Sequence, residues 1–458
     1  MMSRTGSFGC RFGANAATGA LKLAARRKII DRGAILGHRH FRRWLGEMIM
    51  AALHRDDVFI AGGQPTITYV QRQDEHIENG FARAVATPNH IVSLSGPTKT
   101  GKTVLCKKIL GERQYVWIDG GQISSGKDLW EKIAHELNLP SETTYMEAIQ
   151  GGGTISAQVP LIVTASGSLL KTDTTSTKQS VNSMADALKR LISEKIFLVI
   201  DDFHYLTGEV RTEIVRNIKG AVFNGLKLIL LSVTHRTFDV IKAENELTGR
   251  FTSVVLPHWN QMDLEKIAIQ GFEALKVECS KTTLELLASE AQESPFLMQK
   301  FCWELCFDLG IETAHGMLGK HKIPKTYDFK PMFIRLAEDS GLPIYQRLKA
   351  GPQSRKVREK RPLHTGKSVD IYEAILLALA KTGPKPQIDY DDFRTIISEL
   401  LSDKVPQKHE ITSALKHLSL ISRSTTSMAI DWDEENRTIN LADPYLRFYL
   451  RWQVREEA

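Results

Sequence analysis

A chain of 458 residues is longer than one hydrophobic core usually organises and points to two or three domains. Its 42% hydrophobic and 25% charged residues are ordinary for a globular protein, and no apolar run is long enough to span a bilayer, so no membrane partner is expected. The net charge of +7 permits an acidic partner such as nucleic acid without requiring one, and the five cysteines (Cys10, Cys106, Cys279, Cys302, Cys306) form no metal-ligand or disulfide spacing, which fits a reducing cytoplasm.

In chain order, residues 1–55 are rich in Arg, Lys, Ala and Gly and nearly free of acids apart from Asp31 and Glu47. That composition resembles a transit peptide, or a stretch read from a misplaced start upstream of Met48 and Met50, and a disordered tail is expected. From 56 to 258, short apolar runs alternate with amphipathic stretches, which predicts an α/β domain with a parallel sheet and helices on both faces. The runs are 90–95, 114–118, 196–200, 226–233 and 252–256; helical patterns between them cover 102–110, 128–137, 184–192 and 210–218. Residues 141–181 interrupt this order with Gly151-Gly152-Gly153, a β-prone stretch at 159–164 and a Thr/Ser/Lys-rich tract. So long a connection inside a compact domain reads as an insertion.

Residues 259–346 turn helical, with patterns at 262–275, 282–291 and 295–309, and are expected to form a helical lid. Residues 347–368 are a basic linker in which Arg355, Lys356, Arg358, Lys360 and Arg361 crowd together; its readings are a solvated tether or a nucleic-acid contact. From 369 to 458 the order is three helices (370–381, 390–402, 410–418), a strand pair within 424–441, and a last helix from Asp443. That order is a winged helix.

The strongest chemical signal is Gly96-Pro97-Thr98-Lys99-Thr100-Gly101-Lys102-Thr103, with Val104 behind it. It meets the G-x-x-x-x-G-K-[ST] pattern of a P-loop, with a strand before and a helix after. The glycines let successive backbone N–H groups turn toward phosphates, and the helix N-terminus adds positive potential. Lys102 is expected on the β- and γ-phosphates, and the Thr103 hydroxyl on Mg²⁺. Five apolar residues ending in Asp201-Asp202 suit a central strand buried on both faces, with Asp201 holding Mg²⁺ through water and Asp202 polarising the attacking water. The next apolar run ends in Thr234-His235-Arg236, where Arg236 is placed to sense the γ-phosphate by bidentate contact.

These residues resemble the STAND branch of P-loop NTPases, relatives of the AAA+ ATPases. Three further segments agree. Tyr69-Val70-x-Arg72-x-x-Glu75 resembles the motif whose segment packs beside the adenine, Glu246-Leu-Thr-Gly249-Arg250-Phe251 resembles a Leu-x-Gly-Arg box of archaeal-type ATPases, and Ser294-Pro295 resembles a Gly-x-Pro motif closing over the base. The resemblance implies that Tyr69, Arg72 and Pro295 contact nucleotide and that Arg250 acts within the chain or across a subunit interface, the latter implying a homo-oligomer. Asp443-Pro444-Tyr445-Leu446-Arg447-Phe448-Tyr449 resembles the Asp-Pro-x-x-Arg-Phe-Trp end of the same family's winged helix. In that family such a domain is often an intramolecular clamp on the nucleotide module. Lys408, His409, Lys416 and His417 would instead favour a DNA reader, whereas Glu410 and the wing acids Asp431, Asp433, Glu434 and Glu435 would repel phosphates.

The expectation is a cytoplasmic ATP- and Mg²⁺-dependent ATPase working as a conformational switch in signalling or defence, set off by a protein trigger. The rival reading is a DNA-binding ATPase of replication initiation, transposition or transcription control, in which the winged helix and basic linker hold duplex DNA.

Overall fold

The computed structural model describes residues 53–72, 75–139, 143–150, 153–155, 175–179, 183–233, 249–314, 321–355, 357–423 and 428–455. They form two compact units. One runs up to Tyr69 and takes in Glu265–Leu287 and Gln299–Tyr327; the other holds Val70–Leu264, Ala288–Met298 and the chain from Asp328 onward.

The larger unit is built on five parallel strands: β1 (Ile91–Ser95), β2 (Tyr115–Asp119), β3 (Phe197–Asp201), β4 (Lys227–Ser232) and β5 (Phe251–Val255). Their spatial order is β2-β3-β4-β1-β5. Because strand side chains alternate in direction, each central strand feeds two cores. Leu198, Ile200, Leu228 and Leu230 join one core with the helices α3 (Gly126–Glu136), α4 (Ser183–Ser193) and α5 (Gly208–Phe223). Phe197, Val199, Ile229 and Leu231 join the other with α1 (Glu75–Ala86) and α2 (Lys102–Leu110). The near-continuous apolar reading of β3 follows from this double burial, and a parallel sheet places all five C-terminal strand ends along one edge.

Three strands of the 141–181 stretch are described: Thr143–Gln150 pairs antiparallel with Gly153–Ile155 and with Thr175–Gln179. The β-prone 159–164 lies outside the described residues, as does Lys356. Next come α6 (Gln261–Ala274), α7 (Lys281–Glu290), α8 (Pro295–Asp308) and α9 (Lys330–Ala350). The α9 helix continues through Pro343 and Gly341, with Gly341 lying where any Cβ would strike Tyr449.

The C-terminal part is a winged helix: α10 (Ile371–Lys381), β6 (Gln387–Asp389), α11 (Tyr390–Leu400), α12 (Lys408–Arg423), β7 (Ile430–Asp433), β8 (Thr438–Leu441) and α13 (Pro444–Tyr449). β8 lies between β6 and β7, antiparallel to both. The α10 helix is apolar nearly all round because the winged helix packs about it, from Tyr372 through Ala380. The Asp370 carboxylate caps it, accepting from the backbone N–H groups of Tyr372 and Glu373 at 3.0 Å each. The parallel sheet, the helical region and the winged helix are those the sequence predicts.

In the smaller unit, Phe59 packs edge-on against Phe272 with ring centroids 5.4 Å apart. Thr68 donates to the Val58 carbonyl and accepts from Gln299, while the buried Arg55 guanidinium lies over the Trp303 ring. Residues 277–278 pair in parallel with 321–322. Cys302 and Cys306 are core residues here. No helix among the described residues is long and apolar enough to cross a membrane.

Candidate nucleotide site

β1 ends at Ser95 and α2 begins at Lys102, so the loop Gly96–Gly101 turns at the C-terminal edge of the sheet between two rigid elements. Gly101 opens the helix at φ +92°, a left-handed conformation that a side chain would strain. The Lys102 ammonium is buried and donates to the carbonyls of Gly96 and Pro97 at 2.9 and 2.8 Å. Burial lowers it to about 8, opposed by the nearby charges of Asp202 and Asp201.

The end of β3 meets this loop directly. Thr103 Oγ1 donates to Asp201 Oδ2 at 3.0 Å, and the Asp202 backbone N–H donates to Asp201 Oδ1 at 2.9 Å. Burial raises the Asp201 carboxyl, and these two hydrogen bonds oppose it. Asp202 turns away at φ +51°, and burial with the adjacent Asp201 charge pushes its carboxyl up to about 6. Asp119, which pairs in register with Asp201 across the sheet, adds a third carboxylate to the edge. Two hydroxyl and carboxylate oxygens side by side suit a hard cation such as Mg²⁺, and the raised second carboxylate suits proton transfer.

Other residues near the loop follow from packing rather than motif. Gly120 is one: a Cβ there would lie 2.8 Å from the Asp202 carbonyl oxygen and 2.9 Å from that of Asp201. Arg72 is another anchor. Its guanidinium donates to the Pro257 carbonyl at 2.7 Å and to the Thr100 carbonyl at 2.9 Å, and lies 4.5 Å over the Trp259 ring. Trp259 Nε1 donates to the same Thr100 carbonyl at 2.9 Å. Arg72 therefore holds the backbone of the loop that bears Lys102.

The winged helix reaches the loop as well. Lys99 Nζ lies 3.2 Å from Asp443 Oδ2 and 3.5 Å from the centroid of the Tyr445 ring, and Phe296 stands edge-on to Tyr445. Burial lowers the Lys99 ammonium, opposed by Asp443. Beside it, Arg447 is buried and donates to Glu293 at 3.2 Å and to the Gln292 carbonyl, and Glu293 also meets His258 at 2.9 Å. Arg451 makes a two-pronged contact with Glu290 at 2.8 Å for each bond. Pro295 opens α8 directly after this loop.

Of the sequence-predicted residues, Lys102, Thr103, Asp201 and Asp202 converge, with Arg72 one step behind. Tyr69 belongs to the smaller unit, where its N–H closes a turn on the Thr66 carbonyl. Arg236 lies outside the described residues. Arg250 precedes β5, at the strand end opposite the loop, and lies 4.6 Å over the Phe223 ring. Lys99 was expected only as part of the loop; its partner Asp443 was legible as a motif residue, but nothing in the spacing linked the two.

The fold and loop define an AAA-type P-loop NTPase domain. Residues 86–236 match the family model of the AAA domain, and this part of the chain is an AAA-domain P-loop NTPase. No curated protein matches the chain. It is similar in structure to the Walker-type ATPase PABY2304 of Pyrococcus abyssi, at 14% identity and a TM-score of 0.49, over 84% of this chain and 100% of that one. It is also similar to Cdc6p of Pyrobaculum aerophilum, at 14% identity and 0.37, over 88% and 98%. A third likeness is to the Aeropyrum pernix ORC1 protein, solved in complex with DNA, at 11% identity and 0.42, over 87% and 96%.

Proposed function

We propose that this protein is a cytoplasmic, Mg²⁺-dependent ATPase that works as a nucleotide-driven switch, with the winged helix as an intramolecular clamp on the nucleotide domain. The observation that carries the reading is the convergence of Lys102, the Thr103–Asp201 pair and Asp202 at one sheet edge. Loop N–H groups and Lys102 hold the phosphates. Thr103 and Asp201 hold Mg²⁺, which when bound neutralises phosphate charge. Asp202 orients water and accepts its proton. Arg236 is assigned the γ-phosphate contact from its place after β4, Tyr69 and Pro295 the base, and Arg250 the site of a neighbouring subunit in a homo-oligomer.

The switch is favoured over the DNA reader by where the basic residues go. On α12, Lys416 lies 2.8 Å from the wing residue Glu434. Arg358 is held by Asp370 at 3.0 Å and Arg361 by Glu410 at 2.7 Å. Charges neutralised within the chain contribute little to phosphate binding. The deciding experiment measures ATP turnover with and without duplex DNA, against Lys102→Ala. A slow, Lys102-dependent rate indifferent to DNA supports the switch, and the search for its trigger turns to proteins. A rate that DNA raises moves the function to DNA, and turnover that survives Lys102→Ala removes the ATPase reading.

A further inference from the structure

Lys99 stands out in the phosphate loop for three reasons. It is a non-glycine residue at φ +60°, a conformation that β-carbon-bearing residues adopt at some cost. Its ammonium is turned toward the winged helix. It pairs with Asp443, whose side chain is 0% exposed, while the lysine side chain is 22% exposed.

The two oxygens of Asp443 have separate tasks. Oδ1 caps α13, accepting from the N–H groups of Tyr445 at 2.7 Å and Leu446 at 3.2 Å. Oδ2 takes Lys99. The ring of Tyr445 lies against the ammonium and Phe296 braces the ring, so the cation sits in an aromatic corner closed by the Asp443 carboxylate. A buried pair of this kind is costly to break from one side, because the remaining charge loses its counter-charge.

We propose that Lys99 and Asp443 form a latch between the phosphate loop and the winged helix, closed by the carboxylate and opened by phosphate charge. The proposal rests on the nucleotide reading above. Lys99 belongs to the loop that leads into Lys102, so phosphates entering the loop bring a second anion to the Lys99 ammonium and repel Asp443. A nucleoside triphosphate carries more of that charge than a diphosphate and opens the latch further. Coupling of this form is reciprocal: whatever loosens the winged helix raises the affinity of the loop for the triphosphate.

The test uses the full chain and two substitutions. Asp443→Asn keeps an oxygen on the α13 cap while removing the charge, and Lys99→Met keeps the apolar stem against Tyr445. Hydrogen exchange is followed in peptides covering 96–105 and 443–450, without nucleotide and with Mg-ADP or a non-hydrolysable ATP analogue. In the unaltered protein the analogue speeds exchange of 443–450 by about fivefold or more, and ADP by less, a size typical of coupled sites. Each variant exchanges that fast without nucleotide and ignores the analogue, and the double variant is no faster than either single. Variants that exchange like the unaltered protein, or single effects that simply add in the double variant, overturn the latch. If one variant fails to fold, the other carries the same comparison. Calorimetric binding of the analogue to Lys102→Ala separates the two ideas, since undiminished affinity there defeats the nucleotide reading, whereas the nucleotide-free exchange rates test the latch alone.

Discussion

Thr103 Oγ1 and Asp201 Oδ2 stand 3.0 Å apart in a direct hydrogen bond, which joins the start of α2 to the end of β3. Two elements far apart in sequence thus present their oxygens to one point. Thr103→Ala and Asp201→Asn are each expected to lower Mg²⁺-dependent ATP turnover about 100-fold, the size of losing one charge-stabilising group. Nucleotide affinity measured in a chelator should barely change. Equal losses in affinity with and without Mg²⁺ would move both residues from metal binding to loop structure.

Gly120 has no place in any motif, yet its Cα faces the carbonyls of Asp201 and Asp202 with no room for a methyl group. Gly120→Ala must push the β3 end away from the loop. Overpacking of this kind costs about 1–3 kcal/mol, and the displaced carboxylates should lower turnover by more than the loss of folded protein accounts for. Melting temperature and turnover measured on the same preparation test this: a stable variant with full activity would show that the edge gives way freely.

Arg72 holds the loop through Thr100 and Pro257 while stacking on Trp259. A lysine keeps the charge but cannot make the forked pair of bonds over the indole. Arg72→Lys is expected to weaken nucleotide binding about tenfold, or ~1.4 kcal/mol, with turnover at saturating ATP nearly unchanged. A fall in the saturated rate with unchanged affinity would instead give Arg72 a part in the chemistry.

How far the sequence foretells the site depends on the range of each signal. The P-loop is local in sequence and local in space, so its glycines, Lys102 and Thr103 are legible as one string. Asp201-Asp202 is legible because a strand buried on both faces reads as an unbroken apolar run. Gly120 and the Lys99–Asp443 pair are not, since close approach across 82 or 344 positions leaves no local pattern. Arg361 shows the same limit from the other side. Within a basic run it reads as solvated charge, yet it is buried and bonds to the Lys404 carbonyl and to Glu410. The α9 helix is obscured by Pro343 and Gly341, and the three-residue β6 is too short to carry a period.

Glu293 accepts from His258 and from Arg447, and the His258 hydrogen bond is the larger cause holding its carboxyl below the ordinary 4.5. A lowered folded value means that the ionised form stabilises the fold. The contribution is full above 4.5 and is lost as pH falls through the lower folded value. Glu293→Gln should therefore melt below the unaltered protein at pH 7, and the gap should close on acidification below 4.5. The Glu293 side chain is 42% exposed, so screening holds the gap to about 1 kcal/mol or less. A gap that persists at low pH would assign the loss to packing of Arg447 rather than to charge.

Arg250 sits on the far side of its own sheet from the phosphate loop. β5 runs parallel to β1, with Phe251 opposite Ile91 and Val255 opposite Ser95, so the strand separates Arg250 from the loop. Five residues at about 3.3 Å each make ~16 Å, more than one side chain spans. Its guanidinium instead covers Phe223, which is 61% exposed, at the end of α5. An arginine acting on phosphate from that position must act on another subunit. Arg250→Ala should then lose turnover by about 10³-fold, as arginines supplied to phosphoryl transfer do, while still binding ATP. Lys102→Ala should be equally inactive for the opposite reason. Mixed in equal amounts in a head-to-tail oligomer, the two variants rebuild roughly a quarter of the sites, each taking Lys102 from one subunit and Arg250 from its neighbour. Turnover recovered on mixing would establish both the oligomer and the direction of the contact. A mixture as inactive as its parts, at concentrations where subunits associate, would remove Arg250 from catalysis and leave the Arg250–Phe223 pair as a feature of the surface alone.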